Sequence, residues 1–421
     1  MKKINYVIFP IITILLATTL FGITTNAFAI ENNTSKSSKP KEQKPNFVEE
    51  ISVKSSCLCS YAKWKEDNGQ KYLHIITANH YELGYLEGQN LANEIITMDY
   101  ILKNLIASYN LDINQIIYLA YIYDQFIPEE YKTELTGIAD AIPTLSYTDI
   151  LLQVVFLDLY YGILIPQLVG VDPALHACTA ISAKNSKRSI TIGQTMDFGY
   201  LFYPTLNFVK HNVIGKQTTF SLRMGAAVLP IGKNRHVSST VNLVQTWKLA
   251  EFGIPTCIKS RMAFETCKTA EEFSELMTSS YCCSWNYMFS DIRGNLIASE
   301  TVPSLKIEET INKHEFAVRT NTYISEELKI YLLDPLFSIA RQQKAEELTQ
   351  QELNEDGKLS AKDLMNIFSY NDGTEASICR YPIPEDPTSV CSLAFFVSQA
   401  CRKGYFGIGN TRDSNWGRIP L

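Results

Sequence analysis

The sequence predicts an α+β protein in which a helical N-terminal part gives way to strands and helices in succession. Two observations carry this. Between His80 and Pro166 apolar residues recur at spacings of three and four, in stretches separated by prolines, which is helical periodicity. At Cys178 the period changes from helical to alternating: Cys178-Thr179-Ala180-Ile181-Ser182-Ala183-Lys184, a polar turn at Asn185-Ser186-Lys187, then Arg188 to Phe198. That is a β-hairpin pattern.

The elements follow in order. From His80 to about Tyr109, Leu83, Leu86, Ile95, Ile96, Tyr100, Leu102 and Leu105 define one long amphipathic helix. Further helices cover about 113–124, 129–141 and 148–165, interrupted by Pro128, Pro143 and Pro166. Strands are expected at 206–214, 218–223, 284–291, 295–300, 315–319, 390–397 and 403–409. Between them a helix starts at Thr269, whose hydroxyl and the Glu272 carboxylate make a capping box. Another follows Ser360, with Asp363 in its first turn, and a third runs from about 325 to 349. Strands, helices and strands again imply layers with mostly antiparallel pairing. No repeat of fixed period occurs.

With 421 residues, 46% of them hydrophobic, the chain can bury one large core or two smaller ones. A net charge of -6 leaves no basic surplus to neutralise phosphates, so nucleic acid is excluded as a partner. Lys2 and Lys3 precede an almost uncharged run from Val7 to Thr25, which ends in Asn26-Ala27-Phe28-Ala29. This reads as a signal peptide over 1–29, cleaved after Ala29; an uncleaved anchor is the alternative. A secreted or periplasmic protein is expected, touching membrane only through that segment. Residues 30–50 are Ser, Lys, Pro, Asn and Glu with few apolar groups, a flexible linker. Ten cysteines permit five disulfides, but Cys57 with Cys59 and Cys282 with Cys283 stand too close to pair with each other.

Neither a zinc-protease nor a P-loop nor a serine-hydrolase elbow signature occurs, no paired C-x-x-C is present, and six scattered histidines define no metal site. Attention falls on Cys178, at the passage from helices into a strand. Taken alone it is a buried thiol or half of a disulfide. As a nucleophile it needs a base. His176 is two residues away, spread along the strand with no orienting partner. The other base is the α-amine that Cys178 would gain if the bond after Ala177 were cut. Its ordinary pKa, roughly 7.7 to 8.0, is near working pH. The same thiol could make the cut by attacking the Ala177 carbonyl.

Five motifs in order tie this to a known family. Cys178-Thr179-Ala180 is followed by Gly193-Gln194-Thr195-Met196-Asp197-Phe198. Upstream stand Tyr81-Glu82-Leu83-Gly84-Tyr85 with Gly88, and Leu145-Ser146-Tyr147-Thr148-Asp149; downstream stand Trp285-Asn286-Tyr287-Met288-Phe289-Ser290-Asp291 with Gly294, and Arg319-Thr320-Asn321. From about residue 74 onward the chain resembles the self-processing acyltransferases typified by acyl-coenzyme A:6-aminopenicillanic acid acyltransferase, related to choloylglycine hydrolase and acid ceramidase-type amidases.

The resemblance implies a four-layer αββα N-terminal-nucleophile (Ntn) hydrolase fold. A helical pro-segment over 51–177 would stay docked on a catalytic chain over 178–421. Cys178 would be the nucleophile, cut free after Ala177. Asp197 would hold the new ammonium or the thiol, and Asn286 would donate to the oxyanion, where one donor is worth roughly 3 kcal/mol. Gln194 stands where the lipid-amidase branch carries Arg, and Ala177 where the penicillin enzyme has Gly. Read from its residues alone, the aromatic run Phe198 to Pro204 is either ordinary core or the wall of a pocket for an acyl or aryl group. No cofactor or metal is implied. The expected substrate is a small N-acyl amide, opened by water or another amine through a thioester. A lipid amidase or phospholipase-B-like hydrolase, or a non-catalytic binding protein on the same fold, are the alternatives.

Overall fold

The computed structural model describes residues 60–167, 176–279, 283–333 and 336–421. The expected signal peptide (1–29) and linker (30–50), with Cys57, Cys59 and Cys282, lie outside these residues. In chain order, β1 (Tyr61–Asp67) and β2 (Gln70–Thr77) are followed by α1 (His80–Asn90), α2 (Ala92–Ser108), α3 (Ile113–Asp124), α4 (Glu129–Ala141) and α5 (Tyr147–Leu159). A π turn (Tyr160–Leu164) and a 3-10 turn (Ile165–Gln167) extend α5. Next come β3 (His176–Ser186), β4 (Ser189–Gly199), a 3-10 turn (Tyr200–Thr205), β5 (Leu206–Val213), β6 (Thr219–Met224), β7 (Ala227–Lys233) and β8 (Val237–Leu243). Then follow α6 (Thr256–Thr266), α7 (Ala270–Thr278), β9 (Trp285–Asp291), β10 (Leu296–Val302), β11 (Leu305–Thr310) and β12 (Phe316–Arg319). The chain ends with α8 (Glu326–Lys329), α9 (Leu336–Asp356), α10 (Ala361–Phe368), β13 (Val390–Gln399), β14 (Lys403–Ile408) and β15 (Gly417–Arg418).

The strands make two sheets, one ordered β1-β2-β5-β6-β7-β8-β9-β10-β11 and the other β12-β3-β4-β13-β14-β15. Among the described residues every pair is antiparallel except β2 with β5. The sheets stack face to face where β3 and β4 cross β8; α9 and α10 cover the outer face of the six-stranded sheet, and α6 and α7 lie on the nine-stranded one. The expected four layers, αββα, are present.

Strand alternation explains how both faces of β3 are used. Ala180 packs between the sheets with Ile190, Ile192 and Met288, whereas Ile181 and Ala183 pack outward against Leu364 and Phe368 of α10. The capping box expected at Thr269 is formed, and a second forms between Ser360 and Asp363.

Where the structure departs from the sequence reading, burial is the cause. The first third is not wholly helical: β1 and β2 precede the helices. β1, YAKWKED, is largely exposed at a sheet edge and lacks an apolar alternation. β7 and β8 are buried on both faces, which removes the period-two signal. α6, TCIKSRMAFET, is buried nearly all round while carrying Lys259, Arg261 and Glu265. The helix expected over 80–109 is two, broken at Leu91, where the Asn90 side chain takes the Leu86 carbonyl at 2.8 Å in competition with the backbone. The segment Tyr147–Gln167 is apolar and long enough to span a membrane, but 89% of its apolar window is buried inside the fold.

A buried ion network joins α1 and α4 to β5, β6 and α6. His80 Nδ1 meets Glu134 Oε2 at 2.7 Å, and its Nε2 lies 3.3 Å from Glu265. Arg261 bonds Glu134 at 3.2 Å and Glu265 at 2.9 Å. Arg223 pairs with Glu87 and, at 3.3 Å, with Glu134; His211 meets Glu87 at 2.5 Å. Burial opposes a charge on His80, yet the two glutamates prevail and raise it to about 9. Helices α1 and α4 reach this site because they cross at glycines: a Cβ on Gly84 would lie 1.9 Å from the Glu134 carbonyl oxygen.

Candidate active site

β3 and β4 form the predicted hairpin, with Cys178 opposite Met196, Ala177 opposite Asp197 and Ala180 opposite Gln194. The register puts the alternating sets on opposite faces. Cys178, Gln194, Met196 and Phe198 share the side of Ala180 and Ile192, toward the other sheet. Thr195 and Asp197 share the side of Gly193, which abuts Leu364 of α10.

The Cys178 backbone N–H donates to Asn321 Oδ1 at 2.7 Å. The same oxygen accepts from Arg341 Nη2 of α9 at 2.6 Å, and that nitrogen also reaches the Cys178 carbonyl at 3.4 Å. Asn321 is itself held by its Nδ2, which donates to Leu243 O at 2.7 Å. Burial, reinforced by the charge of Asp197, pushes the Cys178 thiol up to about 12. A thiol so placed is protonated at neutral pH and inert without a base.

Asp197 is fully buried. Its Oδ1 accepts from Ser392 at 2.8 Å and Thr195 at 3.1 Å, leaving Oδ2 without a hydrogen-bond partner among the described residues. Burial raises this carboxyl, and the facing Arg341 and Arg380 pull it down. Asp197 is thus close to Cys178 in register, with its carboxylate on the α9 and α10 side of the sheet and the thiol on the other.

The other two residues expected at the site hold backbone. Asn286 Nδ2 donates to the carbonyls of Thr320 at 2.9 Å and Thr322 at 2.7 Å. Its cross-strand neighbour Asn242 donates to Arg319 O at 2.7 Å. Together they clamp the turn that presents Asn321. The Asn286 amide hydrogens are therefore spent here, and donation to an oxyanion would require one to be released.

Gln194 exchanges two bonds with Val241, from Nε2 to its carbonyl at 2.5 Å and from its N–H to Oε1 at 2.8 Å. These replace a strand partner. β7 pairs with β8 only at Gly232–Ser239 and Lys233–Ser238, and Pro230, which has no N–H, lies where the two part. The gap is an apolar cavity of about 40 Å³ between Cys178, Met196, Leu229 and Val241, with Leu157 of α5 also on its wall. Of the aromatic run, Phe198 lines it; Tyr200 and Tyr203 are exposed and stack at 5.7 Å. Gln194→Ala would strand the Val241 donor and acceptor. The expected result is a loss of about 1–3 kcal/mol in urea unfolding, with any cleavage at Cys178 retained.

Asn321 belongs to a motif to which the resemblance attached no role, and its Thr-Asn setting is the signal that could have raised it. Arg341 and Ser392 had none: the one is a cation in a polar helix that also carries Lys344, the other a serine in an apolar strand. Among the described residues Cys178, Cys257, Cys267, Cys379, Cys391 and Cys401 are free and buried, and no group of three metal-ligating side chains occurs.

Residues 232–405 match the model of the family described as acyl-coenzyme A:6-aminopenicillanic acid acyl-transferase. This is the family that the motifs resemble, and the match covers less than half of the chain. It takes in Asn286, Asn321, Arg341 and Ser392 and begins beyond Cys178, Gln194 and Asp197. No curated protein matches the chain. Similar solved structures include a mutant of the conjugated bile acid hydrolase from Clostridium perfringens, at 11% identity and a TM-score of 0.39, covering 58% of this chain and 97% of that one. Penicillin V acylase from Agrobacterium tumefaciens is similar at 12% identity and a TM-score of 0.38, covering 55% and 83%.

Proposed function

We propose that the chain is an exported cysteine hydrolase of linear, non-peptide amides, activated by its own cleavage between Ala177 and Cys178. The observation that carries this reading is the setting of Cys178 at the start of β3. Its nitrogen is already gripped by Asn321 at 2.7 Å, and its thiol opens on an apolar cavity. Cleavage turns that gripped nitrogen into an amine beside the thiol.

The steps balance without a cofactor. The α-amine takes the thiol proton, sulfur bonds to the amide carbon, and the tetrahedral intermediate collapses as the amine passes that proton to the leaving nitrogen. Water, deprotonated by the same amine, then opens the thioester, releasing the acid and restoring the thiol. Hydrolysis is favoured over transfer because water is always available to an exported enzyme. The apolar cavity favours an apolar acyl group.

The test is release of amine from a series of N-acyl amides of increasing chain length, with wild type and Leu157→Trp. Wild type is expected to prefer apolar acyl groups, and the variant to lose roughly tenfold or more in kcat/KM for the longer chains while keeping the shortest. Absence of hydrolysis across lipid, penicillin and N-acyl amino acid amides would favour the binding-protein alternative.

A further inference from the structure

Arg341 is 1% exposed, and no carboxylate pairs with it among the described residues. A buried guanidinium that feels the Asp197 charge without forming an ion pair with it is costly and calls for a reason. Its Nη2 goes instead to the carbonyl of Cys178 and to the Asn321 oxygen that grips the Cys178 nitrogen. We propose that Arg341 is a positioning residue that keeps the freed α-amine of Cys178 neutral by sharing the Asn321 oxygen with it. This rests on the reading of Cys178 as a processed N-terminus.

The argument is electrostatic and geometric. A neutral amine can give one N–H to Asn321 Oδ1 and turn its lone pair to the thiol. An ammonium would need to place a positive charge across one oxygen from the guanidinium, and like charges disfavour that form. Asn321 Oδ1, filled on one side by Arg341, also fixes which way the amine can point. The charged and titratable groups facing Cys178 are Asp197 of β4, Arg341 of α9 and Tyr161 of the π turn, with Arg380 acting on Asp197 and Arg341 from the segment before β13. Asp197 pulls the amine toward protonation. Arg341 is the cation that bonds the amine's own acceptor, and burial with Arg380 lowers it only to about 10, so it stays charged at neutral pH. Without Arg341 the balance tips to Asp197, and the amine is protonated, hence inactive as a base, up to a higher pH.

The experiment is the pH profile of kcat/KM for wild type, Arg341→Gln and Arg341→Lys, with the intact mass of each. All three are expected to be cut at Cys178. The acid limb of Arg341→Gln should move up by about one pH unit, with its alkaline plateau within a few-fold of wild type, and Arg341→Lys should keep the wild-type limb. A uniform loss at every pH with the limb unmoved would make Arg341 merely structural and overturn the proposal. If Arg341→Gln does not fold or is not cut, Arg341→Lys decides. A limb at the wild-type position supports the proposal; a shift of a full unit sinks it. A wild type that is active while uncut overturns the N-terminal reading itself, and the mass shows this before any profile is measured.

Discussion

Cys178→Ala is expected to yield one chain where wild type yields two, and to lower amide hydrolysis on the order of 10⁴-fold or more. The expectation comes from the state of the thiol in the uncut chain. Burial and Asp197 push it up to about 12, so almost no thiolate exists at neutral pH. His176 precedes it in the same strand, two residues distant. Cleavage supplies an amine with an ordinary pKa of roughly 7.7 to 8.0, placed on the nucleophilic residue itself. Intact mass of purified wild type beside the variant reads the first effect, and amine release reads the second. Two fragments meeting at Cys178 in both proteins would assign the cut to another protease and refute self-cleavage. Activity persisting in Cys178→Ala would place the nucleophile elsewhere.

Glu134→Ala is expected to cost about 3–5 kcal/mol in urea unfolding, the largest effect on stability. Glu134 is 4% exposed and accepts from His80, Arg223 and Arg261, so its removal leaves buried cations without their shared anion. The network joins helices on the N-terminal side of Cys178 to strands and a helix on the other side, so in a cleaved protein the loss should also loosen the two fragments. Its pH dependence has a definite sign. His80 has a folded pKa of about 9 against an ordinary 6.5, so its charge favours the fold. That contribution is complete below pH 6.5 and is lost as pH rises through about 9. The stability difference between wild type and His80→Gln should therefore shrink from about pH 6 to about pH 10. Glu130, Glu134 and Glu265 face this ring, and Tyr131 packs on it at 4.8 Å. A difference that grows with pH would mean that His80 is neutral in the fold.

Much of the candidate site was legible because it depends on local pattern. The change of period at Cys178, the turn at Asn185–Lys187 and the return strand through Asp197 all follow from alternation and turn chemistry within about twenty residues. The same alternation, applied to register, separates the Cys178 thiol from the Asp197 carboxylate onto opposite faces. Asn286 and Gln194 are different. Their types and positions mark them, but what each bonds depends on a backbone segment far away in sequence, the 320–322 turn for Asn286 and the unpaired edge of β8 for Gln194. Arg341 had no local signal.

By itself the sequence determined the α+β class, the hairpin that begins at Cys178, the capped helices and the family resemblance. These rest on periodicity, caps and short motifs, each specified by residues adjacent in the chain. Only the tertiary structure decided that β7 and β8 part around an apolar cavity, that a charge-bearing α6 is buried, and that Asn321 and Arg341 converge on the Cys178 backbone. The reason is that burial and pairing between distant segments reverse the usual meaning of a residue type. A charged helix becomes core when its charges find partners there, and a glutamine or an asparagine becomes a strand partner where backbone would otherwise go unbonded.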